Sequence, residues 1–228
     1  MADPTPHNSV ARAMRNGGFG SVTPGEAPTL QALWAAIGHT RGLVEALAPG
    51  MGFLVTYTLT QELVLSVAAP IALAVIFIAA RALQKTAMMP AIAGLVGIAA
   101  SAGVALWSGR PEDNFVLGFA VNALWVVVLS VSLVVGRPLV GFLAGALAGD
   151  PQWRSRPGTR RIGAVATGLW LVVFGLRLIV QVPLYLAGSV SALAAAKLIM
   201  GVPLYAALLW VTWLLYRAVY GTNRATAE

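Results

Sequence analysis

Six runs of apolar residues, each about twenty long, restrict this chain to a single kind of solvent. They cover approximately 42–60, 62–80, 87–107, 115–135, 162–186 and 190–216. A helix needs about 20 apolar residues to cross about 30 Å of hydrocarbon, so each run is long enough to span. Inside hydrocarbon every backbone N–H and C=O must find its partner within the protein, which leaves only helices and closed barrels. Barrel strands are shorter and alternate apolar with polar residues, and these Ala, Leu, Val and Gly runs do not. Composition agrees: 58% of the residues are hydrophobic and 10% charged, against about 25% charged in a soluble domain. So few charges cannot cover a water-facing surface. The expected fold is an all-α membrane protein, a six-transmembrane helical bundle.

Orientation follows from the basic residues. With the amino terminus in the cytoplasm, the inner segments hold Arg12, Arg15 and Arg41, then Arg81 and Lys85, then Arg137, Arg154, Arg156, Arg160 and Arg161, then Arg217 and Arg224. The outer loops hold only Arg110. Basic residues concentrate on the cytoplasmic side, so both termini are expected there, in a multi-pass protein of the cytoplasmic (plasma) membrane. Residues 1–29 lack the apolar core of a signal peptide and read as a disordered cytoplasmic tail. Residues 30–218 form the membrane domain, and 219–228 a second cytoplasmic tail.

Two further segments are too short to cross. "TLQALWAAIGHTRG" sets Leu30, Leu33, Trp34 and Ile37 on one stripe, an amphipathic interfacial helix before the first span. "RPLVGFLAGALAGD" follows span four and reads as an interfacial or re-entrant helix. Its Gly141, Gly145 and Gly149 form a ridge that lets another helix approach closely, for packing or self-association.

The net charge of +7 would suggest nucleic acid for a soluble chain. Membrane topology accounts for it instead, and no nucleic-acid-binding pattern is present. Cysteine is absent, and His7 and His39 are too few for a metal site. No nucleophile elbow, phosphate loop, zinc-protease helix or dinucleotide fingerprint occurs, so neither an enzyme nor a bound cofactor is expected.

The suspicious positions lie inside the spans. Arg177 is 15 residues beyond Ile162, about 22 Å up its helix, in the outer third of the bilayer. Trp170, Phe174, Gln181 and Tyr185 share its face at helical spacing. In span six Lys197 heads a comparable stripe with Gly201, Tyr205, Thr212 and Tyr216. A charge at the midplane costs about 2.5–3.5 kcal/mol. The outer acids Glu62, Glu112 and Asp113 are the expected counter-ions, with Asn122 completing the cluster. Such a cluster is either a structural ion pair or an outer-leaflet pocket for an anionic or zwitterionic solute. Glu45 in span one is expected to pair with Arg41. Pro70, Pro90, Pro183 and Pro203 fall inside spans, and "VPLY" occurs at 182–185 and again at 202–205.

"RGLVEALAPGMGFLVTYTLT", "SGRPEDNFVLGFAVNALW", "GRPLVGFLAGALAGDPQWR", "GLRLIVQVPLYLAG" and "GVPLYAALLWVTWLL" together resemble an uncharacterised family of actinobacterial integral membrane proteins, domain-of-unknown-function family 3159, over residues 29–218. That resemblance implies no activity. "EDNFVLGFAVNALW" with "RPLVGFL" is also similar, over 50–145, to the intracellular septation protein A family; the likeness ends after Pro151. Two functions are therefore expected in competition. One is a small transporter or substrate-capturing component. The other is a non-catalytic envelope or division factor working through a homo-oligomer or an envelope protein partner. Beyond the lipid bilayer itself, the basic 154–161 loop is expected to meet anionic lipid at about 1 kcal/mol per residue.

Overall fold

The computed structural model describes residues 39–147 and 152–225, and every regular element among them is helical. The helices are α1 (His39–Thr60), α2 (Leu63–Leu83), α3 (Met89–Ser108), α4 (Val116–Val134), α5 (Leu139–Leu147), α6 (Pro157–Leu186), α7 (Val190–Ile199) and α8 (Val202–Ala225), with a 3-10 turn, Pro111–Phe115, leading into α4. Six segments are long and apolar enough to cross a membrane: Gly42–Thr60, Leu63–Leu83, Met89–Ser108, Pro111–Val134, Pro157–Leu186 and Val190–Ala218. Trp107 is 91% and Val134 87% exposed, an arrangement that only a lipid solvent accommodates at this density. The chain is an all-α, multi-pass membrane protein. The stripe Leu30, Leu33, Trp34 and Ile37, and Gly149, lie outside the described residues.

Span six departs from the continuous helix expected of it. It is two helices, α7 and α8, separated at Met200 and Gly201. Pro203 has no N–H for the Ile199 carbonyl, and Gly201 favours the helix less than any residue but proline. Pro203 thus sits in the first turn of α8, where proline is tolerated. The other "VPLY" copy follows Gln181 rather than glycine and stays within α6, with Pro183 inside the helix. Pro90 is likewise a helix-start proline, at the beginning of α3.

The described chain forms two compact units, one holding Trp125–Val173 and the segment from Ala206, the other Thr40–Leu124 and Phe174–Tyr205. In the first, the glycine ridge has an internal occupant. A Cβ on Gly145 would lie 2.4 Å from Trp153 Cδ1, and one on Gly141 would lie 2.8 Å from Trp153 Cζ3 and 3.0 Å from Gly163 Cα. The indole therefore covers Gly141 and Gly145, and α5 meets the start of α6 backbone to backbone. Thr167 Oγ1 accepts from the Val140 amide at 3.2 Å and donates to the Gly163 carbonyl at 2.7 Å, fixing that crossing.

The second unit is built on Phe53, Val67, Ala102, Phe115, Val190, Leu193 and Ala194. Gly50 and Gly52 allow α1 to approach closely: their Cβ atoms would lie 2.8 Å from Leu198 Cδ2 and 2.9 Å from Leu73 Cδ1. Gly188, at φ +63°, ends α6. The Gly188 and Ser189 amides return to the Tyr185 and Leu184 carbonyls, the paired bonds of a Schellman cap. Glu45 receives Arg81 through two nitrogens, at 2.6 and 2.7 Å, and Arg81 also donates to the Ala87 carbonyl at 2.7 Å. Arg81 is a partner of Glu45 that sequence spacing did not suggest; the Arg41 side chain lies outside the described residues.

Candidate functional site

The second unit gathers most of the suspected residues, around the break in span six. α6 ends at Leu186, nine residues beyond Arg177, which places Arg177 about 14 Å below that end. α7 starts at Val190 and reaches Met200 ten residues later, descending about 15 Å. The two counts agree, and Arg177 Nη1 donates to the Met200 carbonyl oxygen. A guanidinium is thus bonded at the carboxyl end of α7, where unbonded carbonyls leave partial negative charge. Its Cζ lies over the Tyr205 ring, 5.1 Å from the ring centre.

Lys197, in the last turn of α7, places Nζ 5.0 Å from the centre of the Phe115 ring. Its charge and that of Arg177 repel one another. The expected counter-ions are elsewhere. Glu112 receives Arg110 at 2.8 and 2.9 Å. Asp113 accepts the Tyr185 hydroxyl at 2.6 Å. Glu62 is exposed at the start of α2. Among the described ion pairs neither intramembrane cation has an acid; ring faces and a backbone carbonyl supply their observed partners instead. Arg110 also stacks over Tyr185 at 5.7 Å. The Glu112 hydrogen bond first, and the charge of Asp113 second, push the Arg110 guanidinium further above its ordinary range, so it stays cationic.

Asn122 and Gln181 share one level. Phe119 on α4 meets Tyr185 on α6 edge to face at 5.5 Å. α4 runs away from that contact while α6 runs toward it. One turn deeper therefore lie Asn122, three residues past Phe119, and Gln181, four before Tyr185. They are 4% and 2% exposed, and Arg177, one further turn down, is 8% exposed. Asn122 Nδ2, Gln181 Nε2 and Arg177 Nε have no hydrogen-bond acceptor. Buried donors are nearly always paired, and each unpaired one costs about 1–3 kcal/mol. By this helix register the three unpaired donors lie within about two turns of one another on α4 and α6.

Phe174, on the same face, packs against Tyr205 at 5.9 Å. Trp170 belongs to the first unit, where its indole N–H meets Thr212 Oγ1 at 3.2 Å. Gly141 and Gly145 also belong to that unit. Sequence reasoning did not include the Met200 carbonyl, Phe115 or Phe119 in the site. The signal for Met200 was the Gly201 and Pro203 pair, which marks a helix boundary within an apolar run. Among the described residues no three of His, Cys, Asp and Glu gather as metal ligands would.

No curated protein and no solved structure matches the chain. A family model described as "Protein of unknown function (DUF3159)" matches residues 37–222, most of the chain, and the chain belongs to that family.

Proposed function

We propose that this DUF3159 member is a non-catalytic component of the cytoplasmic membrane, with both termini inside, that captures and moves a small anionic or zwitterionic solute. The observation that carries the reading is the set of three buried donors without acceptors, on Asn122, Gln181 and Arg177. Two cations without described acids accompany them. An anion supplies what such a set lacks. The break in span six supports transport in particular, because discontinuous helices near the midplane line the sites of many transporters.

Native mass spectrometry of the gently solubilised protein tests this, comparing wild type with Arg177→Met. The expected result is a co-purifying small mass on wild type that a folded variant loses. Equal spectra from two folded proteins, with no retained mass, would refute capture.

A second reading, an envelope or division factor acting through contacts, has one observation in its favour. Arg154, Arg156, Arg160 and Arg161 are exposed, and the described residues of the first unit include no acidic side chain. That surface suits anionic lipid headgroups.

A further inference from the structure

Resting on the capture reading, we infer that the solute is a monocarboxylate with an apolar body. The carboxylate is bound by Arg177 Nε, Gln181 Nε2 and Asn122 Nδ2. Four features of the second unit narrow the chemistry to this class.

The sign of the charge comes first. Arg177 and Lys197 repel one another, while Glu112 and Asp113 are engaged by Arg110 and Tyr185. A negative group relieves that repulsion, and a neutral amide or ketone does not. The ammonium of a zwitterion would meet two cations and no available acid, so the same argument removes zwitterions.

The second feature is capacity. A carboxylate has two oxygens and about four acceptor positions, a close match to three unpaired donor atoms. A phosphoryl group brings three strongly accepting oxygens and is usually held by backbone amides at a helix amino terminus. The helix end at this site is the opposite one, the carboxyl end of α7, whose partial negative charge opposes a dianion about twice as strongly as a monoanion.

The third feature is what surrounds the donors. Phe119 and Tyr185 lie one turn above Asn122 and Gln181, and Phe174 and Tyr205 lie beside Arg177. Rings on both sides of the donor level suit a carboxylate attached to an aromatic or short acyl body. A bare inorganic anion has no apolar body to set against them.

The fourth is that Arg177 remains anchored. Its Nη1 is committed to the Met200 carbonyl, which fixes the plane of the guanidinium in advance, and its buried Nε has no partner. Preorganisation of this kind lowers the ordering entropy of binding.

The test uses the full chain in lipid nanodiscs and equilibrium binding of radiolabelled phenylacetate, with phenylacetamide, phenylalanine, inorganic phosphate and chloride as competitors. Saturable phenylacetate binding is expected, displaced by none of the four at equal concentration. Gln181→Leu and Asn122→Leu are each expected to weaken it about tenfold or more, with an unfolding midpoint equal to or above wild type because a buried unpaired group is gone. A folded Gln181→Leu variant with unchanged affinity would overturn the assignment of its amide. Preferential binding of phosphate, chloride or phenylalanine would overturn the monocarboxylate class and leave capture standing. A retained mass in the native spectrum that is not a monocarboxylate would have the same meaning. Absence of binding by every probe, together with no retained mass, would overturn capture and this inference together.

Discussion

Gly145→Ala puts the close packing of α5 to a quantitative test. The new Cβ would lie 2.4 Å from Trp153 Cδ1, 2.6 Å from Cγ and 3.0 Å from Nε1. Ordinary carbon contacts begin near 3.5 Å, so the indole must withdraw by roughly 1 Å. It has little freedom to do so, since Trp153 is 6% exposed and its carbonyl is bonded by Thr159. Overpacking of this kind costs about 1–3 kcal/mol, and the helix preference for alanine over glycine returns about 0.5–1 kcal/mol. A net loss of about 1–2 kcal/mol is expected. Gly94→Ala is the control, because nothing lies within 4 Å of its Cβ, and it should gain about 0.5–1 kcal/mol. Reversible unfolding in mixed micelles, followed by tryptophan fluorescence, would measure both. Adding Trp153→Ala to Gly145→Ala should cancel most of the clash, seen as a coupling energy of about 1 kcal/mol or more. Equal tolerance of Gly145→Ala and Gly94→Ala would refute the packing argument. A change in oligomeric state with unchanged monomer stability would return the ridge to self-association.

Glu45→Ala leaves Arg81 with its Ala87 bond alone and should cost about 1.5–3 kcal/mol in the same unfolding assay; Glu45→Ala with Arg81→Met should cost less than the sum of the two single changes. Gly201→Ala combined with Pro203→Ala should rejoin α7 and α8 and direct the Met200 carbonyl to a backbone amide. Hydrogen exchange across 199–205 would then slow at least tenfold, and unchanged exchange would show that the break has another cause. Replacing Arg154, Arg156, Arg160 and Arg161 together by Gln should weaken retention of anionic lipid by about 1 kcal/mol per residue, measured by the lipid bound after delipidation.

The spans were legible because hydrocarbon thickness dictates their length and composition, and all six runs reappear. The interruption of span six was not, since "LIMGVPLY" is apolar throughout and hydropathy is blind to a missing amide hydrogen. Arg177 and Gln181 were legible as suspects because burying them is costly anywhere in a membrane. The Arg177 partner was not, because it is the Met200 main chain and main-chain acceptors have no letter in a sequence. The acids expected as counter-ions were drawn instead to nearer donors: Arg110 is two residues from Glu112, and the Tyr185 hydroxyl reaches Asp113 from the facing helix. For the glycine ridge the spacing revealed a close approach and left its occupant open. Trp153 reaches it across a turn that periodicity does not describe.

The bond from Arg177 to the Met200 carbonyl also bears on the membrane's insulation. A guanidinium stranded in hydrocarbon draws water and headgroups toward itself, and a file of water is a route for proton leakage. With one of its own carbonyls as a standing partner, the protein can hold that charge without wetting the layer around it.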